Sequence, residues 1–171
     1  MRYETMNRRL PKTDMVDFRT PAYLFSYINS LYSIEYDGAC SPGINNLAKP
    51  LRLEEEWPQG VIYSNPPFDI TSICSWIEKG WKHSRKHYSN VHILLLPNKL
   101  TQVKLHDFSN MIDKIIFLGG RVDFDSPHSV KGGTSRMGSI IVIQSMNDSG
   151  FDFVKLSELK DIYSNSIGEM I

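Results

Sequence analysis

Four consecutive residues, Asn65-Pro66-Pro67-Phe68, follow the short apolar run Val61-Ile62-Tyr63 and carry more chemistry than any other stretch of the chain. Two successive prolines fix φ and remove two backbone donors, so the segment leaves a sheet ladder and stiffens into a loop. In that loop Asn65 offers a side-chain carbonyl. Pro66 offers a main-chain carbonyl that the next proline nitrogen cannot pair with, and Phe68 offers a flat ring. Two acceptors and a ring suit a planar amino group on an aromatic heterocycle. Such an amine is a poor nucleophile, because its lone pair is delocalised. Acceptors facing its hydrogens favour a pyramidal nitrogen and take up the positive charge that develops as it attacks an electrophilic methyl group. The pattern points to methyl transfer onto the exocyclic nitrogen of adenine or cytosine. The same tetrapeptide also serves as a plain turn after a strand, with Phe68 in the core.

The surrounding elements must position this loop. Thr20 suits a helix cap and Pro21 a first helical position, ahead of Leu24, Phe25, Ile28, Leu31 and Tyr32 at helical spacing. Residues 33–37 read as a strand that runs into the small-residue loop Gly38-Ala39-Cys40-Ser41-Pro42-Gly43, and residues 44–60 read as irregular. Val61-Ile62-Tyr63 is a second strand, and Asp69 or Thr71 caps a helix carrying Ile73, Trp76 and Ile77 on one face. Val91–Pro97 is a nearly continuous apolar run, the signature of a strand buried on both faces. Leu105, Phe108, Met111 and Ile112 fit a further helix, residues 114–118 a strand stopped by Gly119-Gly120, residues 139–144 the last strong strand, and residues 157–163 a short terminal helix. Strands alternating with helices predict an α/β sheet with right-handed crossovers. Ligands in such sheets bind beyond the carboxyl ends of strands, so the loops after Asp37 and after Ser64 can share one crevice.

Lys+Arg and Asp+Glu are both 19 among 171 residues, so the formal net charge is +0 and any nucleic-acid surface must be local. A hydrophobic share of 41% and a charged share of 22% describe an ordinary folded chain rather than a disordered one. No apolar run reaches membrane-spanning length and the N-terminus lacks the apolar stretch of a secretory signal, so a cytoplasmic protein is expected. Cys40 and Cys74 are not in metal-binding or redox spacing and read as two free thiols. Residues 1–16 read as a mobile arm made basic by Arg8, Arg9 and Lys12, ahead of a single domain over residues 17–171.

Several blocks in order resemble the phage-encoded Dam-like DNA adenine methyltransferases, over about residues 15–145. Asp17-Phe18-Arg19-Thr20-Pro21 resembles the family's opening block, in which Trp usually stands where this chain has Phe18. Tyr36-Asp37-Gly38-Ala39-Cys40 resembles the end of its first strand. Trp57 followed by Ser64-Asn65-Pro66-Pro67-Phe68 resembles its catalytic block, often written with Tyr at the last place. Leu94-Leu95-Leu96-Pro97 and Gly119-Gly120-Arg121-Val122-Asp123-Phe124 resemble the later strands. The resemblance implies an abridged Rossmann-like methyltransferase sheet with helices on both faces. It implies transfer of a methyl group from S-adenosyl-L-methionine to adenine in double-stranded DNA, in a phage protein acting in a bacterial host; the sequence leaves monomer and homodimer open. It assigns Asn65, Pro66, Pro67 and Phe68 to catalysis, and Asp17, Phe18, Thr20, Pro21, Asp37, Gly38, Ala39, Cys40 and Ser64 to the cofactor. The chain departs from the pattern in its broken glycine loop, with Pro42 between Gly38 and Gly43, and in the short distance from Asp37 to Asn65. No acidic residue is assignable to the cofactor ribose. Glu54, Glu55 and Glu56 are candidates, though such a run also reads as a solvated face.

A duplex target must be flipped out of its stack, at a cost of a few kcal/mol. Phe68 stacking on the extruded base would recover about 1–3 kcal/mol. Lys131 and Arg136, in a flexible basic loop, are candidates for phosphate or base contacts beside Arg8, Arg9 and Lys12. His83 and His87 read as exposed, with Lys82, Arg85 and Lys86 adding to a basic face. Two other readings stay open from the sequence. One is methylation of another planar amine, on cytosine, an RNA base or a glutamine amide. The other is a non-catalytic module that binds nucleic acid or a protein through a decayed site.

Overall fold

Helix α1 (Ala22–Tyr32) begins one residue later than its sequence suggests. Pro21 is its N-cap with no side-chain capping bond. The Thr20 hydroxyl does not cap the helix. It bonds the Tyr63 hydroxyl at 2.5 Å instead. A tertiary partner 43 residues away has won over the local one. This computed structural model describes residues 19–39, 48–99, 106–124, 133–134 and 137–168.

The strands are β1 (Tyr36–Asp37), β2 (Lys49–Pro50), β3 (Val61–Ser64), β4 (Val91–Pro97), β5 (Lys114–Gly119), β6 (Asp123–Phe124), β7 (Gly133–Thr134), β8 (Ser139–Gln144) and β9 (Gly150–Lys155). Seven of them form one sheet in the order β2-β1-β3-β4-β8-β5-β9, while β6 and β7 pair separately. The pairs β1–β2, β1–β3, β3–β4 and β5–β9 are parallel. In that sheet β8 runs against its neighbours, β4 and β5, and the separate pair β6–β7 is antiparallel. The sheet is therefore mixed, and one reversed strand joins two parallel blocks.

Period two along the central strands divides the core into two layers. Tyr63, Ile93, Leu95, Ile116, Leu118, Ile141 and Ile143 face α1 and the terminal helix α3 (Leu156–Gly168). Ile62, Leu94, Leu96, Ile140 and Val142 face α2 (Ile70–Ser84). The helices thus lie on both faces. The unbroken apolar run in β4 is explained by its position, central and covered on each side. Of the two cap candidates for α2, Asp69 does the work, accepting from the Ser72 amide at 2.9 Å.

Further sequence expectations are corrected. Residues 44–60 are not wholly irregular, because Lys49–Pro50 adds an edge strand where a proline is tolerated. Beyond residues 139–144 the chain makes one more strand, Gly150–Lys155, on the opposite edge. The terminal helix runs to Gly168 rather than to Tyr163. His83 is buried, 2% exposed, where an exposed residue was expected. It continues the inner stripe Ile73, Trp76, Ile77, Gly80 of α2. In the expected helix through Leu105 and Ile112, the described part holds a 3₁₀ turn, Ser109–Met111.

Gly80 lets α2 sit down on the sheet. A Cβ there would lie 1.6 Å from His92 Nδ1 and 2.3 Å from Gln144 Oε1. Gly80→Ala should therefore lower stability by about 3 kcal/mol, the upper end for overpacking. At Gly168 an added Cβ meets nothing within 4 Å. Gly168→Ala should leave stability within about 0.5 kcal/mol. Urea unfolding of both variants checks the pair, and equal midpoints would contradict the packing described.

Candidate active site

The chain leaves β1 toward β2 on one side and resumes in β3 on the other, so the strand order reverses between β1 and β3. In an open α/β sheet the carboxyl end of that switch point is where a crevice opens. Here Asp37 pairs with Tyr63, and the Gly38 amide donates to the Tyr63 carbonyl at 2.7 Å. The segments Asp37-Gly38-Ala39 and Ser64-Asn65-Pro66-Pro67-Phe68 therefore leave the sheet side by side.

Gly38 has no room for a side chain. A Cβ would lie 2.7 Å from Ser64 Oγ, 3.1 Å from Ile62 and 3.2 Å from Trp76. The backbone of the first loop is thus pressed against the root of the second. Asp37 Oδ1 accepts from the Ala39 amide at 3.2 Å. Burial pushes the Asp37 carboxyl up to about 6, against the smaller opposing effect of that amide. A half-buried carboxylate with so little compensation is suited to a ligand that brings a cation or hydroxyl donors.

In the second loop Asn65 is half-buried, Pro66 buried, Pro67 exposed and Phe68 half-buried. The Phe68 ring meets Phe124 edge-on, with centroids 5.6 Å apart. Its carbonyl accepts from Lys99 Nζ at 3.0 Å. Lys99 stands just past the end of β4, the strand next to β3, so a third strand exit reaches the same edge.

Beneath the loops lies a buried polar relay that sequence reading missed. Gln144 Nε2 donates to the carbonyls of Ile77 at 2.8 Å and Met111 at 2.7 Å. Its Oε1 must then accept from His92 Nδ1, 2.9 Å away. That leaves His92 Nε2 as acceptor for the Ser64 hydroxyl at 3.0 Å. Burial holds His92 down to about 3, so it stays neutral. Trp57 covers the His92 ring at 4.9 Å and the Trp76 ring at 5.8 Å, and its Nε1 donates to the Arg52 carbonyl at 2.9 Å. The available signal was polar His92 and Gln144 in otherwise apolar strands.

Of the residues singled out in the sequence, Asp37, Gly38, Ala39, Ser64, Asn65, Pro66, Pro67 and Phe68 lie together at this edge. Thr20 reaches the same strand through the Tyr63 hydroxyl, and Pro21 follows it as the N-cap of α1. Asp17, Phe18, Cys40, Arg8, Arg9, Lys12, Lys131 and Arg136 lie outside the described residues. Glu54, Glu55 and Glu56 are exposed, and Glu55 closes a turn on the Arg52 amide at 3.1 Å. The basic face expected on α2 is largely neutralised: Lys82 pairs with Glu78, Lys86 with Glu56 and Arg85 with Asp113. Among the described residues no cluster of His, Cys, Asp and Glu is arranged to hold a metal, and no helix is long and apolar enough to cross a membrane.

A family model described as DNA N-6-adenine-methyltransferase (Dam) matches residues 7–164. No curated protein matches the chain significantly. The match covers both loops and every strand of the sheet. Of the target amines that the loop alone leaves open, this family specifies N6 of adenine in DNA.

Asp37 gives a signed pH dependence. Its folded value, about 6, stands above the ordinary carboxyl value of 3.8, so its contribution to stability is full below about 4 and is lost as pH rises through about 6. Asp37→Asn should thus melt higher than the parent at pH 7 to 8, with the two converging toward pH 4. Thermal melts of the ligand-free proteins across that range check it, and parallel profiles would refute it.

Proposed function

The chain belongs to the Dam family of DNA N-6-adenine methyltransferases, and from that premise we propose that it methylates adenine at the edge where β1, β3 and β4 end. It is a DNA adenine methyltransferase by family. The proposal concerns how this chain's residues do the work. The observation that carries it is the direct pairing of β1 with β3 at the switch point, which sets Asp37-Gly38-Ala39 against Ser64 to Phe68. The sheet is read as an abridged Rossmann-like methyltransferase sheet, with the short β1–β3 connection as the abridged part.

Methyltransferases of this kind generally use S-adenosylmethionine, which supplies an electrophilic methyl group on a sulfonium. The residues present fit it. Asp37 offers a half-buried carboxylate to its ammonium or hydroxyl groups, and Gly38, lacking a Cβ, lets the first loop lie directly against Ser64. Ala39 adds to that wall, and Ser64, buried with its hydroxyl on His92, braces it from beneath; Asp17, Phe18, Thr20, Pro21 and Cys40 are assigned to it by the resemblance.

On the other side of β3, the Asn65 side-chain carbonyl and the Pro66 main-chain carbonyl accept the two hydrogens of the adenine amine. They favour a pyramidal nitrogen and stabilise the charge that develops there, with no strong base needed. Phe68 stacks on the base once it is flipped out of the duplex. Phe68 already packs against Phe124, so its ring is held in place before the base arrives.

Asn65→Ala should lower the methylation rate about 10²–10³-fold while S-adenosylmethionine still stabilises the protein in a thermal titration. Transfer at the parental rate would refute the assigned role.

Phe68→Tyr should keep activity, since the ring survives. Phe68→Ala should lose more activity on fully paired DNA than on DNA with a mismatched target adenine, where extrusion costs less. A loss equal on both substrates would assign Phe68 to packing alone.

A further inference from the structure

We infer that Lys99 is a DNA-backbone site: it neutralises a phosphodiester beside the extruded adenosine while its bond to the Phe68 carbonyl holds the catalytic loop. This rests on the function proposed above and names a contact to that substrate.

The position of Lys99 is fixed by its backbone. The Asn98 amide donates to the Gly138 carbonyl at 2.8 Å, and the Lys99 amide donates to the Pro97 carbonyl at 2.8 Å. The side chain then reaches across to Phe68, where Nζ meets the carbonyl at 3.0 Å. A carbonyl is a neutral partner and brings no negative charge to the ammonium. No carboxylate pairs with Lys99 among the described residues. Asp69, the acid next to Phe68, is engaged by the Ser72 amide and hydroxyl. Lys82, Arg85, Lys86, Lys114, Lys155 and Lys160 each have a carboxylate partner, and Lys79, which also donates to a backbone carbonyl, that of Glu55, lies over the Trp57 ring on the α2 side; among the described residues Lys99 is the one bonded to the Asn65–Phe68 loop. In a chain of net charge +0 an uncompensated ammonium at the mouth of the site is a local positive potential.

Its side of the site selects the ligand. Neighbouring strands are about 4.8 Å apart, so the end of β4 lies about 10 Å from the end of β1, with β3 between them. Lys99 is therefore on the substrate side of the Asn65–Phe68 loop, away from Asp37. An adenine inserted against Phe68 carries its own flanking phosphates to the rim of that loop. An ammonium with two donors left over after the Phe68 bond matches one of them.

The test measures binding of a mixed-sequence duplex with one mismatched adenine, in the presence of S-adenosylhomocysteine, at salt concentrations from 50 to 200 mM. Each phosphate contact contributes about −0.9 to the slope of log affinity against log salt. Lys99→Met should flatten the slope by about 0.9, so the parent loses about 3.5-fold more affinity than the variant over that fourfold salt range. Lys99→Arg should restore the slope. S-adenosylhomocysteine affinity should be unchanged in both variants. An unchanged slope in Lys99→Met overturns the inference. So does a loss of S-adenosylhomocysteine affinity with the DNA slope intact, which would assign the ammonium to the cofactor carboxylate. A parent protein that binds DNA but never methylates adenine would sink the proposed function and leave the slope measurement to decide on Lys99.

Discussion

The parallel pairing of β1 with β3 is the constraint on which the rest of the molecule depends. It is only two residues long, Tyr36 on Ile62 and Asp37 on Tyr63. Yet it sets the two loops of the site at one edge, and further bonds lock it. The Glu35 amide donates to the Val61 carbonyl at 3.0 Å and the Gly38 amide to the Tyr63 carbonyl at 2.7 Å, while on the other side of β1 the Leu51 amide donates to the Asp37 carbonyl at 2.8 Å. Because Gly38 must pass Ser64 without a Cβ, the approach of the two loops is set by van der Waals contact, which tolerates shifts of only a few tenths of an ångström.

That contact surface needs support from below, and α2 supplies it. Gly80 lets the helix close on His92 and Gln144, and Trp57 fills the space above Trp76 and His92. The polar relay inside this layer is costly unless every member is satisfied. Gln144 uses both amide hydrogens and its oxygen, and His92 uses both nitrogens. The Ser64 hydroxyl therefore has one orientation, and Ser64 is the residue directly before Asn65. A network that fixes rotamers at the root of a loop limits the freedom of the loop itself, which suits a site that must be preorganised toward developing charge.

Much of this was legible in the chain, and the failures have physical causes. The Asp69 cap, the doubly buried strand Val91–Pro97 and the strand Ser139–Gln144 were readable because local pattern and tertiary role agree there. Thr20 was misread as a cap because its partner, Tyr63, is remote in sequence. His83 was misread because the charges of Lys82, Arg85 and Lys86 outweighed its place in the helical stripe through Ile73, Ile77 and Gly80. The edge strand Gly150–Lys155 was passed over because it exposes Phe151 and Phe153, 69% and 74%, and so lacks a buried face to read. The reversal of β8 was not readable at all: a strand buried on both faces carries no mark of its direction.

Three neighbouring strand exits now divide the labour under the proposed function. β1 ends in a carboxylate held up by burial, β3 in a stiff loop of neutral acceptors, and β4 in an unneutralised ammonium. The order matters electrostatically. A cationic donor sits best beside the carboxylate and a polyanionic duplex beside the ammonium, and each would be repelled by the other's site. The neutral Asn65–Phe68 loop between them is the one place where charge forms during the reaction and not before. Asp37 stands on the neighbouring strand, and the Lys99 ammonium touches the loop at its far end, the Phe68 carbonyl, 3.0 Å away. They steer and orient the two substrates, and the stabilisation of the transition state falls to the uncharged acceptors of Asn65 and Pro66.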